Sequence, residues 1–325
     1  MQLHITQHNW PIDGIFRISR GSRTQAQVIQ VELSDGSSIG RGECVPYARY
    51  NETLASVSAT IEGLRPQIVR GLSRGQLAQL LPAGAARNAV DCALWDLECK
   101  QAHQTIWQRL SITPHALTTA YTLSLDTPEQ MQQKAQAHHH RPLFKLKLAG
   151  DGDLERVKAV RQAVPNAQII IDANEGWNSV LYQQLVPELV NLNVAMIEQP
   201  FPAGDDALLQ DLPHPIALCA DESCHDRQDL VKLKGCYEMI NIKIDKTGGL
   251  TEALALKQAA EAEGFAIMVG CMVGTSLAMA PAFVVAQNAK IVDLDGPLLL
   301  AQDQPHGFEY DQASQMQVPS SKLWG

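Results

Sequence analysis

Paired cysteines are what this 325-residue chain most plainly lacks: its seven cysteines are an odd number, scattered, and no C-x-x-C pair occurs. A disulfide framework or a Cys-rich zinc site is thereby excluded, and a reducing cytoplasm is the natural compartment. Positive charge is also in short supply. The balance of 26 Lys+Arg against 35 Asp+Glu gives −9, which speaks against a nucleic-acid or anionic-membrane surface as the main business of the chain. The opening MQLHITQHNWPIDG has no basic stretch followed by an apolar run, so no signal peptide is read. Low-complexity sequence is missing beyond His138-His139-His140, which lies on a connection and reads as a surface triplet. Gly264 to Ala289 carries no charge over a length that could cross a bilayer. Glycines, Thr275, Ser276 and Pro281 interrupt it, however. Phe265–Val269 therefore reads as a buried strand, and Ser276 onward as a buried helix, of a soluble α/β protein.

Apolar residues make up 45% and charged residues 19%, enough for a large core. Residues 1–112 read as an α+β domain. Leu3–Thr6, Ala26–Leu33 and Ser38–Cys44 are strand-like, with Asp35-Gly36 as a hairpin turn, and helical stretches follow at Glu52–Val69 and Ala83–Lys100. From Leu117 short apolar runs alternate with helices. The runs are Thr118–Leu125, Leu143–Leu148, Gln168–Ile171, Val194–Ile197, Ile216–Ala220, Met239–Ile242, Phe265–Val269 and Ile291–Leu294. Eight strands with intervening helices, over residues 113–296, describe a (β/α) barrel better than an open sheet. Residues 297–325 are expected to return to the first domain.

The ionisable residues fall where such a barrel would use them. Lys145 and Lys147 share one face of a strand. Later runs end in Asp172-Ala-Asn174, Glu198-Gln-Pro200, Asp221-Glu222-Ser223 and Lys243. From Lys147 onward these residues recur every 22 to 26 positions, about one βα unit, so five successive strands bring an ionisable side chain to the C-terminal mouth. An Asp after a strand can simply cap the next helix; Glu198 is a poor cap and is followed by Gln-Pro. Three convergent carboxylates repel unless a cation neutralises them, and all-oxygen ligation favours Mg²⁺ first and Mn²⁺ second. A lysine beside that cation has its pKa pushed down and can serve as a base, so two flanking lysines can move protons on either face.

The set Lys145-Leu-Lys147, Asp172-Ala-Asn174, Glu198-Gln-Pro200, Asp221-Glu-Ser223 and Asn241-Ile-Lys243 resembles the muconate lactonizing subgroup of the enolase superfamily, along nearly the whole chain. Ala83–Asp96, Asn241–Gly249, and Gly270-Cys-Met272 through Thr275-Ser276 carry the same likeness, and Asp293-Leu-Asp295 resembles the D-x-D motif of its dipeptide epimerases. The resemblance implies a modified TIM-type (β/α) barrel with an N-terminal α+β capping domain. It also implies an isomerase that epimerises L-Ala-D-Glu to L-Ala-L-Glu by 1,1-proton transfer. Superfamily sites of this kind use a lysine or histidine base with Mg²⁺ stabilising an ene-diolate. The roles implied are acid/base for Lys147 and Lys243, metal ligation for Asp172, Glu198 and Asp221, and capture of the α-ammonium group by Asp293 and Asp295. Thr122, Lys145, Cys271 and Met272 join the substrate pocket, with Asn174 and Glu222 supporting it from behind. An arginine of the loop Gly14–Thr24 meets the glutamate side chain, with Arg20 and Arg23 as the two candidates. The partner is a small dipeptide, not nucleic acid or membrane; a homo-oligomer is compatible, and murein peptide recycling is the implied setting.

The same residues would serve o-succinylbenzoate synthase, cycloisomerase or N-acylamino acid racemase chemistry, whose substrates lack a free ammonium for Asp293 and Asp295. Outside that class, a barrel lysine could form a Schiff base, or the chain could bind without turnover.

Overall fold

The computed structural model describes residues 1–325. Three antiparallel strands open the chain: β1 (Gln2–Ile18), β2 (Gly21–Ser34) and β3 (Ile39–Cys44). β1 is far longer than Leu3–Thr6. The ladder with β2 runs past Pro11 and Gly14 by a register shift between Pro11 and Phe16 and resumes to Ile18↔Gly21. The arginine segment is therefore the tip of a long hairpin and not a free loop.

Helices α1 (Leu54–Gly63), α2 (Arg65–Val69), α3 (Arg74–Leu80), α4 (Ala85–Gln101) and α5 (Ile106–Leu110) follow. The expected single helix over 52–69 is broken at Leu64, and α3, capped by Ser73 and Gln76, was not anticipated. α4 is buried on nearly every side because it lies between the cap sheet and the barrel. A Cβ at Gly40 or Gly42 would overlap backbone atoms of Ala93, Leu97 or Ala89, so those two glycines let β3 rest directly on α4. The other side of α4 grips the barrel: Arg87 donates to Thr247 O at 2.6 Å, Asn88 to Asp245 Oδ1 at 2.8 Å, and Asp91 accepts from Thr251.

After the short β4 (Leu117–Thr118), eight parallel strands run in chain order: β5 (Tyr121–Leu123), β6 (Leu143–Lys147), β7 (Gln168–Asp172), β8 (Val194–Glu198), β9 (Ala217–Ala220), β10 (Met239–Ile242), β11 (Ala266–Gly270) and β12 (Ile291–Asp293). Each matches an expected run to within a few residues. Ala120 N donates to Val292 O at 2.8 Å and brings the first and last strands together, so the sheet is a nearly closed barrel. The outer layer is α6 (Pro128–Ala137), α7 (Asp153–Ala163), α8 (Ser179–Asn191), α9 (Leu230–Leu233), α10 (Ile244–Thr247), α11 (Leu250–Ala262) and α12 (Ser276–Ala286). The uncharged run 264–289 is thus strand, turn and buried helix; no helix is long and apolar enough to cross a membrane. A last strand, β13 (Gln315–Met316), pairs with β4, and the C-terminus reaches α4 through Trp324 Nε1 to Cys92 O and Gly325 N to Asp96 Oδ1.

Candidate active site

Alternation along the barrel strands stacks their inward side chains in tiers. The lowest is an apolar plug with one residue per strand position: Ala120, Leu143, Ile170, Met196, Cys219, Met239, Met268 and Ile291. Two positions further on come Thr122, Lys145, Asp172, Glu198, Asp221, Asn241, Gly270 and Asp293. Lys147 and Lys243 lie two beyond Lys145 and Asn241. The period of two that makes the plug therefore makes the polar tier above it. Gly270 is the one member without a side chain. A Cβ there would come within 2.6 Å of Asn241 Oδ1, so its absence leaves room for the Asn241 amide, which donates to Glu198 Oε1 at 2.7 Å.

Strand order fixes the quadrants. Lys147 on β6 and Lys243 after β10 are four strands apart in a barrel of eight, on opposite walls. Asp172, Glu198 and Asp221 stand at the three strands between them, and Asp293 on β12 faces Glu198 across the lumen. Lysine ammonium groups lie among the carboxylates. Lys147 Nζ is 2.5 Å from Asp172 Oδ2, and Lys243 Nζ is 2.5 Å from Asp221 Oδ2. Lys145 Nζ spans the lumen, 2.7 Å from Asp293 Oδ2 and 2.6 Å from Glu198 Oε2, the latter without hydrogen-bond alignment.

These neighbours decide the ionisation. Burial disfavours the charge on Lys145 and Lys243, yet the surrounding carboxylates hold both well above the ordinary lysine range. Asp172 and Asp221 stay below the carboxylate range against their own burial because lysines flank them. Glu198 is pushed up to about 7 by burial and then by Asp172; Glu222 rises to about 7 by burial and Asp221, and Asp295 to about 7 by burial and Asp293. The carboxylates around Lys145 and Lys243 thus stabilise the ammonium form, and the lowered lysine pKa expected from the sequence is a property of a lysine beside a divalent cation.

Five buried side-chain atoms in this region have no hydrogen-bond partner: Asn174 Oδ1, Glu198 Oε2, Glu222 Oε2, Asn241 Oδ1 and Asp293 Oδ1. All are acceptors, so the site is built to receive cations or N–H donors. Hard, all-oxygen donors on three adjacent strands fit Mg²⁺, although their oxygens are not drawn into a tight preformed cage.

Above the tier lies a cavity of about 420 Å³, lined by Lys147, Asn174, Asp221, Glu222, Lys243, Cys271 and Met272 on the barrel side and by Ile12, Phe16, Ile18, Arg20, Arg23, Tyr47 and Tyr50 on the cap side. Thr122, Lys145, Asp172, Glu198, Asp293 and Asp295 lie outside this lining and are buried. Asp295 Oδ2 accepts from Thr122 N at 2.6 Å. The two candidate arginines part company. Arg20 is already engaged, donating to Asn174 O at 3.0 Å, Glu175 at 3.1 Å and Glu222 at 2.7 Å. Arg23 has no acidic partner and sits 5.3 Å from the Tyr47 ring centre, facing the cavity. Cys271 reaches the cavity, whereas Cys219 belongs to the plug and Cys224 to the outer core.

One buried lysine escaped the sequence reading. Lys246 Nζ donates to Asp221 Oδ1 at 2.7 Å, to Asn241 O at 3.0 Å and to Asp221 O. Its signal was its place one helical turn after Lys243, just before Gly248-Gly249, where a solvent-facing lysine would look the same.

Residues 1–110 match the mandelate racemase/muconate lactonizing enzyme N-terminal domain family, and residues 126–321 the enolase C-terminal domain-like family. Among named relatives, an L-Ala-D/L-Glu epimerase of Escherichia coli (strain K12) is 48% identical over 92% of this chain and 94% of its own. An N-acetyl-D-glutamate racemase of Pseudoalteromonas sp. is 47% identical over 92% and 95%. A solved enolase family member from Agrobacterium tumefaciens, described as homologous to dipeptide epimerases and holding sodium and L-Ala-L-Glu, superposes with TM-score 0.97, 49% identity and 99% coverage of both chains. The dipeptide epimerase of Enterococcus faecalis V583, complexed with Mg and L-Leu-L-Tyr, superposes with TM-score 0.92 at 29% identity over 99% and 98%.

Proposed function

The chain belongs to the mandelate racemase/muconate lactonizing enzyme family of the enolase superfamily and is an isomerase, and from that footing we propose that it epimerises L-Ala-D-Glu to L-Ala-L-Glu with Mg²⁺ as cofactor. The observation that carries this is the quadrant arrangement: lysines on opposite walls, three carboxylates between them, and Asp293 across from Glu198. A dipeptide lying from the carboxylate wall towards Asp293 and Asp295 presents its C-terminal Cα to both lysines at once.

Asp172, Glu198 and Asp221 hold the metal. When bound, Mg²⁺ supplies two positive charges that relieve the carboxylates' hold on the lysine protons and stabilise negative charge on the substrate carboxylate. Lys147 or Lys243, according to the isomer, takes the α-proton, and the opposite lysine delivers one to the other face. Lys145, tethered between Glu198 and Asp293, offers its ammonium to the charge that builds on the substrate. Asp293 Oδ1, buried and unpaired, receives the α-ammonium, with Asp295 beside it. The cap residues Ile12, Phe16 and Ile18 exclude water.

The test is proton NMR in D₂O of L-Ala-D-Glu and L-Ala-L-Glu with enzyme and Mg²⁺. The expected result is loss of the Glu α-proton and growth of the other diastereomer. The Pseudoalteromonas relative motivates a second reading, N-acetylglutamate racemisation, since the Cα chemistry is identical. Exchange of N-acetyl-D-glutamate with neither dipeptide touched would replace the first reading by the second.

Arg23, facing the cavity with no acidic partner, is the side chain for the substrate's γ-carboxylate, whereas Arg20 binds the hairpin tip to the loops after β7 and β9. A charge-assisted hydrogen bond contributes about 1.5–3 kcal/mol. Arg23→Met is therefore expected to lower kcat/KM for L-Ala-L-Glu roughly tenfold to hundredfold more than for L-Ala-L-Leu. Equal losses for the two dipeptides would sink the assignment, and selective loss in Arg20→Met would transfer it to Arg20.

A further inference from the structure

Gln199 follows Glu198 directly and has a left-handed backbone, φ 36°, although it is no glycine. Such a conformation persists in a side-chain-bearing residue only where its surroundings enforce it, and it clusters at functional sites. The surroundings here are polar and complete. Gln199 is fully buried. Its Oε1 accepts from Asp221 N at 2.9 Å and Ser223 N at 3.2 Å. Its Nε2 faces Phe201 O and Ser223 Oγ at 2.9 Å and Tyr237 OH at 3.0 Å. Ser223 Oγ and Tyr237 OH in turn donate to Asp206 Oδ1 at 2.7 and 2.6 Å. The backbone adds two more ties, Gln199 N to Cys219 O and Glu175 N to Gln199 O, both at 2.9 Å.

We propose that Gln199 is the positioning residue that sets the separation of Glu198 and Asp221, its side chain reaching from the end of β8 to the backbone of the loop after β9. Strand pairing ends at Glu198↔Cys219, so the ladder itself does not fix Asp221. The amide does, and its fixed donor and acceptor ends match the two sides of the gap. A carboxylate at this position would have to face Asp206, Phe201 O and the Ser223 hydroxyl without the two hydrogens that Nε2 supplies. The proposal rests on the reading that Glu198 and Asp221 hold Mg²⁺.

The experiment is calorimetric titration of Mg²⁺ into chelator-stripped wild-type and Gln199→Leu proteins, with thermal unfolding and epimerisation measured beside it. Residues that orient metal ligands are typically worth about 10–100-fold in metal affinity. Gln199→Leu is expected to weaken Mg²⁺ within that range, with KM for the dipeptide at saturating Mg²⁺ staying near wild type. Ser223→Ala, which trims the same cage from its far side, is expected to give a smaller loss in the same direction. A folded Gln199→Leu protein that binds Mg²⁺ as wild type does would overturn the proposal. If that variant does not fold, unchanged Mg²⁺ affinity in Ser223→Ala would overturn it. A wild-type protein that takes up no Mg²⁺ would instead overturn the metal reading and this proposal with it, and the two failures are thus told apart.

Discussion

Lys147→Ala is expected to abolish epimerisation yet leave solvent exchange at the α-carbon of one diastereomer, and Lys243→Ala the same for the other. The reason is the diametric placement on β6 and after β10: each lysine can reach only one face of a Cα held on the barrel axis. With one wall removed, the remaining lysine can take a proton and return a deuteron to the face it came from, which labels the substrate without inverting it. A positioned acid or base contributes about 10²–10⁴-fold, and each inversion needs both, so epimerisation should fall by at least that factor in either variant. Both proteins should fold, because neither change strips a carboxylate of every cation. Asp172 keeps Lys145 at 3.3 Å when Lys147 is lost, and Asp221 keeps Lys246 at 2.7 Å when Lys243 is lost. The measurement is deuterium uptake by NMR from each pure diastereomer. Label entering both isomers in Lys147→Ala, or the same isomer in both variants, would remove the two-base assignment.

Much of this arrangement was legible in the sequence because one regularity wrote it twice. The two-residue alternation that makes Ile170, Met196 and Met239 an apolar plug also puts Asp172, Glu198 and Asn241 one tier higher, so the strands and the site were read from the same pattern. What escaped lay where the partner is distant in sequence. β1 runs far beyond Leu3–Thr6 because β2 pairs with it through the interruption between Pro11 and Phe16, which nothing local reveals. Arg20 and Arg23, three residues apart, could not be ranked until Glu175 and Glu222 were found to occupy the first and leave the second facing the cavity. Lys246 and Gln199 are set by contacts to Asp221 from other elements of the barrel, which no spacing rule contains. Gly40 and Gly42 have their reason only in α4, which packs directly against them and is remote in sequence.

Glu198→Gln is expected to eliminate turnover while leaving the fold intact, and to do so more completely than loss of either lysine. Glu198 is the middle of the three carboxylates, on the strand between Asp172 and Asp221, so its charge acts on the whole carboxylate wall. The replacement is nearly isosteric. Asn241 can keep its bond to the new amide, since its own Oδ1 is unpaired and either amide can turn to suit. Stability should hold, because a fully buried carboxyl already raised to about 7 costs free energy to keep ionised at neutral pH, and the amide does not incur that cost. The chemistry has no such substitute. The α-proton of a carboxylate is many pKa units less acidic than a lysine ammonium, and each unit costs about 1.4 kcal/mol; lysine alone cannot close that gap. Charge stabilisation at the carboxylate wall must supply several kcal/mol, and exchange of α-protons should vanish along with epimerisation. That separates the two predictions: a lysine variant still labels one isomer, whereas Glu198→Gln labels neither, and EDTA-treated wild type behaves likewise until Mg²⁺ is restored. Residual exchange in Glu198→Gln at the wild-type rate, or wild-type turnover indifferent to EDTA, would mean that the lysines work without the metal.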